Sequence, residues 1–268
     1  MRLRYLAILA KDPGGLAEFY RAIFGLRELS RSAAGDVALT DGYMNISLYR
    51  LRPELNEPRM EPGLHHIGFQ VDGLDAVIAR YHQAVPGGLV IDEPDNLSHG
   101  TVRIFDPECT PVTLATSDFG VGGDADALPR MRHVAFNALY PERLGDFYQD
   151  VFGLRVLGAM KAFRRRGRPN AFLGDGRSNL AVHPFYTDNF GHEARYGVNH
   201  FGFLVDGLEA MVAAIEAVPG ASCAPRPERP YEDYRARDAE GNGIDLCMTK
   251  GLEVDEAKLD TVNGFITA

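Results

Sequence analysis

The chain has 268 residues, 45% of them hydrophobic and 24% charged, with a formal net charge of −9. That length suits two ordinary domains, and the composition is not that of a disordered chain. The negative balance argues against a nucleic-acid or anionic-membrane partner, which would require a positive field, and leaves a small molecule as the expected partner.

The apolar run inside Met1–Ala10 stops at Lys11-Asp12-Pro13, too early for a signal-peptide core or a membrane span. The three cysteines, Cys109, Cys223 and Cys247, have no metal-like spacing and no even pairing. A reducing, cytoplasmic setting without a disulfide framework is therefore expected.

In chain order, a strand around Leu3–Tyr5 is followed by Leu16, Phe19, Tyr20, Ile23 and Phe24, which fall on one face of a helix. Pro13 suits its first turn and Gly25 the position past its end. Strands are predicted at Val37–Thr40 and Asn45–Tyr49. A third begins at Leu64-His65-His66 and runs into a helix carrying Leu74, Val77, Ile78 and Tyr81. Strands at Val102–Phe105 and Pro111–Ala115 follow. The glycines and aspartates between Ser117 and Leu128 read as a linker.

Beyond it the pattern repeats. Leu3-Arg4-Tyr5 and its helix recur as Met131-Arg132-His133 and Leu144, Phe147, Tyr148, Val151 and Phe152, between Pro141 and Gly153. Strands are predicted at Asn170–Leu173 and Asn179–His183. Leu64–Leu74 recurs as Val198-Asn199-His200-Phe201-Gly202-Phe203-Leu204-Val205-Asp206-Gly207-Leu208, and Asp106-Pro107-Glu108 as Asp238-Ala239-Glu240, ahead of a last strand at Gly243–Met248. The chain is thus two homologous halves, each strand, helix and three strands taken twice. The expected boundaries are 1–117 for the first domain, 118–129 for the linker, 130–250 for the second domain and 251–268 for a tail.

Strand alternation puts His133 on one face with Ala135 and Asn137, His200 with Gly202 and Leu204, and Asp245 with Gly243 and Cys247. Three polar side chains interrupt three apolar strands of the second half. Two imidazoles and a carboxylate can hold a divalent metal while leaving positions open for substrate and O2. The equivalent residues of the first half, Tyr5, His66 and Thr113, include only one such ligand type, so a single metal site is expected, in the second half.

The paired modules, the helix motif ending Phe147-Tyr148 … Phe152-Gly153-Leu154, the strand Asn199–Asp206 and the closing Asp238–Leu246 resemble the vicinal oxygen chelate superfamily. That group holds glyoxalases, bleomycin-resistance proteins, fosfomycin-resistance enzymes and type I extradiol dioxygenases. The resemblance spans about Arg2 to Met248. It implies an α+β fold of four βαβββ modules paired into two domains, each a curved mixed sheet with helices outside.

The layout is most similar to the extradiol dioxygenases, whose ligands are His, His and Glu on the strands that here carry His133, His200 and Asp245. Three positions differ: the carboxylate is Asp, the usual acid–base histidine reads Arg177-Ser178-Asn179, and the usual tyrosine is Arg235, beside Tyr234. His183 or Tyr234 is expected to manage protons, and Asn137, His192 and Arg235 to touch substrate. The metal implied is Fe(II), with Mn(II), Zn(II) or Ni(II) as alternatives.

The expected activity is dioxygenation of a small catechol-like compound. A glyoxalase-like lyase or isomerase and a non-catalytic small-molecule binder are the alternatives. Lys161, Arg164, Arg165, Arg166 and Arg168 read as a solvated hairpin or an anion clamp. A homo-oligomer is compatible with this layout.

Overall fold

The computed structural model describes residues 1–52, 61–93, 99–157, 171–185, 196–227 and 232–248, together with the backbone of two short strands within 164–169. In the first half, β1 (Arg2–Ala10), α1 (Pro13–Phe24), β2 (Arg27–Arg31), β3 (Val37–Thr40) and β4 (Asn45–Arg50) form one module. A second comprises β5 (Gly63–Gln70), α2 (Leu74–Ala84), β6 (Ile91–Asp92), β7 (Val102–Phe105) and β8 (Pro111–Ala115).

The second half repeats this with β9 (Arg130–Ala138), α3 (Pro141–Phe152), β10 (Arg155–Val156), β11 (Arg164–Arg165), β12 (Arg168–Pro169), β13 (Ala171–Gly174) and β14 (Asn179–Pro184). It closes with β15 (Gly197–Leu204), α4 (Leu208–Glu216), β16 (Ser222–Pro225), β17 (Tyr234–Arg237) and β18 (Gly243–Cys247). The pair β11–β12 is an antiparallel hairpin, as the basic run suggested, and the side chains of that run lie outside the described residues.

Each half is one eight-stranded mixed sheet, ordered β2-β3-β4-β1-β5-β8-β7-β6 and β10-β13-β14-β9-β15-β18-β17-β16. The middle pairs, β1 with β5 and β9 with β15, are antiparallel, and each of these strands has a parallel neighbour on its other side. The two modules of a half therefore meet along their first strands, and side chains of both modules share one face.

α1 and α3 end where Gly25 and Gly153 take left-handed φ values of 64° and 67°, a conformation glycine adopts without a Cβ clash. Their apolar stripes pack on the helix faces of the sheets in a single core that runs through both halves. Phe24 stacks on Phe203 at 4.3 Å and Phe152 on Phe69 at 4.2 Å, the same contact made twice by the pseudo-two-fold relation. The helices lie outside each cup but face the other half.

Polar groups are exchanged in the same reciprocal way. Neither α1 nor α3 is capped by its own N-cap side chain. Glu240 instead accepts the amides of Lys11 and Asp12, both at 2.8 Å, and Glu108 those of Leu139 and Tyr140 at 2.9 and 2.8 Å. A carboxylate there satisfies open backbone donors and complements the helix dipole. Asp41 accepts the amide of Met131, and Asp175 that of Leu3, each at 2.7 Å. Near the axis, the guanidiniums of Arg4, Arg132 and Arg177 sit 4.5, 4.4 and 4.8 Å from the Tyr43 ring, within cation–π range.

Candidate functional site

The face of the second sheet turned away from the helices forms a cup, and its central strands carry the polar residues. His133 on β9, His200 on β15 and Asp245 on β18 are 4%, 5% and 1% exposed. Gly202 of β15 lies between His133 and Asp245 in register, which brings residues distant in sequence to one place. The Nε2 atoms of the two histidines are 3.2 Å apart, and His200 Nε2 is 3.2 Å from Asp245 Oδ2. One ligand atom from each of the three lies within 4.8 Å of the others.

The donor set fits a cation. His133 Nδ1 pairs with Asn179 Oδ1, and His200 Nδ1 with Asn199 Oδ1 at 2.8 Å. An amide oxygen only accepts, so both Nδ1 atoms carry the proton and both Nε2 atoms present lone pairs inward. Burial pushes both imidazoles below the usual histidine range, and the Arg235 charge adds to this at His200. They are neutral, the form that ligates, and the contact of His200 with Asp245 is not an ion pair. Lone pairs converging on one point repel unless a positive ion lies among them, and a divalent metal is the ion that this set suits. Asp245, although shorter than Glu, reaches the cluster.

Around this centre lie groups of the same face. Arg235 on β17 is paired in register with Asp245, and its Nε donates to Asp245 Oδ1. Glu232 Oε2 lies 3.5 Å from Arg235 Nη2, and Glu232 Oε1 is 2.9 Å from Arg226 Nη2. Glu232 also shares a hydrogen bond with Asp245; burial and then the charge of Asp245 push its carboxyl above the usual range. His183 on β14 stacks against His200 at 6.0 Å and against the edge of Phe172 at 5.5 Å, and pairs in register with the buried Asn137. Burial first, then the two neighbouring histidines, hold it well below the usual histidine range.

Residues 2–110 match the family model of the Glyoxalase/Bleomycin resistance protein/Dioxygenase superfamily. The first half belongs to that superfamily. The second half repeats its modules strand for strand. Comparison with curated proteins gives no match.

Among solved structures, the fold is similar to that of the Mn(II)-bound glyoxalase from Novosphingobium aromaticivorans, with TM-score 0.68 and 18% identity over 91% of this chain and 80% of that one. It is also similar to the 2,3-dioxygenase LapB from Pseudomonas sp. KL28, with TM-score 0.67 and 15% identity over 91% of each chain. The extradiol ring-cleaving dioxygenase from B. fuscum gives 0.62 and 16% over 96% of this chain and 74% of that one. Identities this low speak for the shared fold alone.

The superfamily cup of the first half carries no such cluster among the described residues, because aromatic side chains fill it. Tyr5, at the place of His133, stacks on Phe119 at 5.1 Å and bonds the Tyr49 hydroxyl at 3.1 Å. His66, at the place of His200, meets His65 Nδ1 at 2.7 Å, and Thr113, at the place of Asp245, donates to Glu93 at 3.1 Å. Asn45 matches Asn179 in register but donates to the Phe119 carbonyl, at 2.9 Å. The linker residue Phe119 thus plugs the first cup.

The expected site residues divide by face. His133, His200, Asp245, His183, Asn137 and Arg235 share the second cup. Tyr234 does not: β17 alternation turns it to the helix face, where it packs against the core, so the proton-handling role expected of it is withdrawn. His192 lies outside the described residues. Glu232 and Asn199 go unmentioned as site residues in the sequence reading. Asn199 was findable as the neighbour of His200, whereas Glu232 sits before a short strand with no periodicity to place it. Among the described residues, no helix is long and apolar enough to cross a membrane.

Proposed function

We propose that the chain is a metal-dependent enzyme of extradiol dioxygenase type, acting with O2 on a small catechol-like compound. The observation that carries this reading is the convergence of His133, His200 and Asp245 with ligand atoms inside 4.8 Å. Bound there, Fe(II) would supply Lewis acidity toward two adjacent substrate oxygens and open positions for substrate and O2. Asn179 and Asn199 hold the two imidazoles in the ligating tautomer. His183, neutral and beside His200, is placed to take a substrate hydroxyl proton and return it to the product. Asn137 and Arg235 line the same cup and orient the substrate.

Protein loaded with Fe(II) under anaerobic conditions and then given catechols in air should form yellow ring-opened products. No turnover across a broad catechol panel, with metal bound, refutes the dioxygenase reading.

A glyoxalase-like isomerase or lyase is the second reading, favoured by one observation: Glu232 places a second carboxyl beside Asp245, the group that such a reaction needs to move a proton between carbons. Turnover of a 2-oxoaldehyde adduct without O2, with Ni(II), Zn(II) or Mn(II), would establish it in place of the first.

A further inference from the structure

The two oxygens of Asp245 have different neighbours. Oδ2 lies 3.2 Å from His200 Nε2, inside the ligand cluster, whereas Oδ1 accepts from Nε of Arg235. The sheet sets this pair, because Arg235 on β17 stands directly across from Asp245 on β18, and both are buried, at 5% and 1% exposure. A guanidinium beside a metal position is repelled by the ion and stays there only if it is anchored elsewhere. Arg235 has such an anchor. Its Nη2 lies 3.5 Å from Glu232 Oε2, an acceptor whether that carboxyl is charged or neutral, and Glu232 Oε1 is 2.9 Å from Arg226 Nη2.

We infer that Arg235 is a positioning residue that restricts Asp245 to ligation through one oxygen and so keeps a metal position open, a step that rests on the metal-centre reading above. A carboxylate binds a hard cation through one oxygen or through both. Oδ1 already accepts a charge-assisted hydrogen bond, and turning it to the ion would forfeit that bond. An octahedral ion that takes one atom from each of His133, His200 and Asp245 keeps three positions, two for a vicinal-oxygen ligand and one for O2. With both oxygens of Asp245 on the ion, such a ligand would fill the site and leave O2 no place. The duplication isolates the feature. Arg103 stands across from Thr113 as Arg235 stands across from Asp245, but its carboxylate partner is Glu93, which is not on the facing strand. The arginine belongs to both sheets, and in the second cup it meets a residue of the ligand cluster.

Metal-bound water gives a test that needs no turnover. Protein loaded with Mn(II) in isotopically labelled water is read by electron–nuclear double resonance, which counts the waters on the ion. The natural chain and Arg235→Lys, which keeps a donor for Oδ1, should hold about three, and Arg235→Met about two with Mn(II) still bound. Saturation with nitrocatechol should leave about one water in the first two proteins and none in Arg235→Met.

Equal counts in the natural chain and Arg235→Met, a count of about two in the natural chain, or loss of Mn(II) from Arg235→Met overturns the inference while leaving the metal centre standing. Failure of the natural chain to bind stoichiometric Mn(II), or binding that His200→Ala leaves unchanged, overturns the centre and the inference with it. Should Arg235→Met not fold, the count in the natural chain decides alone.

Discussion

Replacing Asn179 by alanine removes the acceptor that fixes the tautomer of His133. Asn179 is fully buried, and its Oδ1 pairs with His133 Nδ1. Without it the imidazole is free to carry its proton on Nε2, the atom that faces His200 at 3.2 Å. Loss of such an outer partner typically lowers metal affinity 10- to 100-fold, about 1.4 to 2.7 kcal/mol.

The duplication supplies the control: Asn45 occupies the same register position, is equally buried, and holds Phe119 instead of a ligand. Both variants should lose stability by about 1 to 3 kcal/mol for a buried partner left unpaired. Only Asn179→Ala should weaken Zn(II) binding, read by competition with a chromophoric chelator. An Asn179→Ala protein that binds Zn(II) within about twofold of the natural chain, or an Asn45→Ala protein with the same loss, would refute the argument.

Other outcomes follow from the same geometry. His183→Gln should retain metal while turnover drops by about 100-fold or more, whereas Tyr234→Phe, on the other face of its strand, should leave the rate and its pH profile unchanged. Phe119→Ala empties the first cup and should cost about 3 to 5 kcal/mol in urea unfolding with no change in metal affinity.

Burial raises the Asp106 carboxyl from 3.8 to about 6, against its hydrogen bonds from Thr110, Glu108 and Tyr148. A raised acid favours the fold when protonated, so its contribution is complete below about pH 4 and is lost as pH rises through about 6. Asp106→Asn should therefore gain stability over the natural chain as pH goes from 4 to 7, by up to about 3 kcal/mol. A constant difference across that range would contradict the shift.

The architecture was legible because the apolar stripes of α1 and α3 and the apolar strands carry period and length together, and because each half repeats the other. His133, His200 and Asp245 stood out as polar interruptions on faces that alternation assigns. Tyr234 and Arg235 show the limit of that logic. They are adjacent, so a single step in register decides which one meets the site, and only the pairing of Arg235 with Asp245 settles it. The edge strands β6, β10 and β16 are largely exposed and too short to show a period. The trans-caps Glu108 and Glu240 act across long sequence separations that no local pattern encodes, and Glu232, although near its partners in sequence, precedes a short strand with no period to place it.

The carboxylates that cross from one half to the other mean that neither half owns the beginnings of its own helices. A fragment beginning near Arg130 would lose the caps that Glu108 gives α3, and a fragment ending near Ala115 those that Glu240 gives α1. Each cup thus serves the other as scaffolding, and the two should melt in a single cooperative step rather than in sequence.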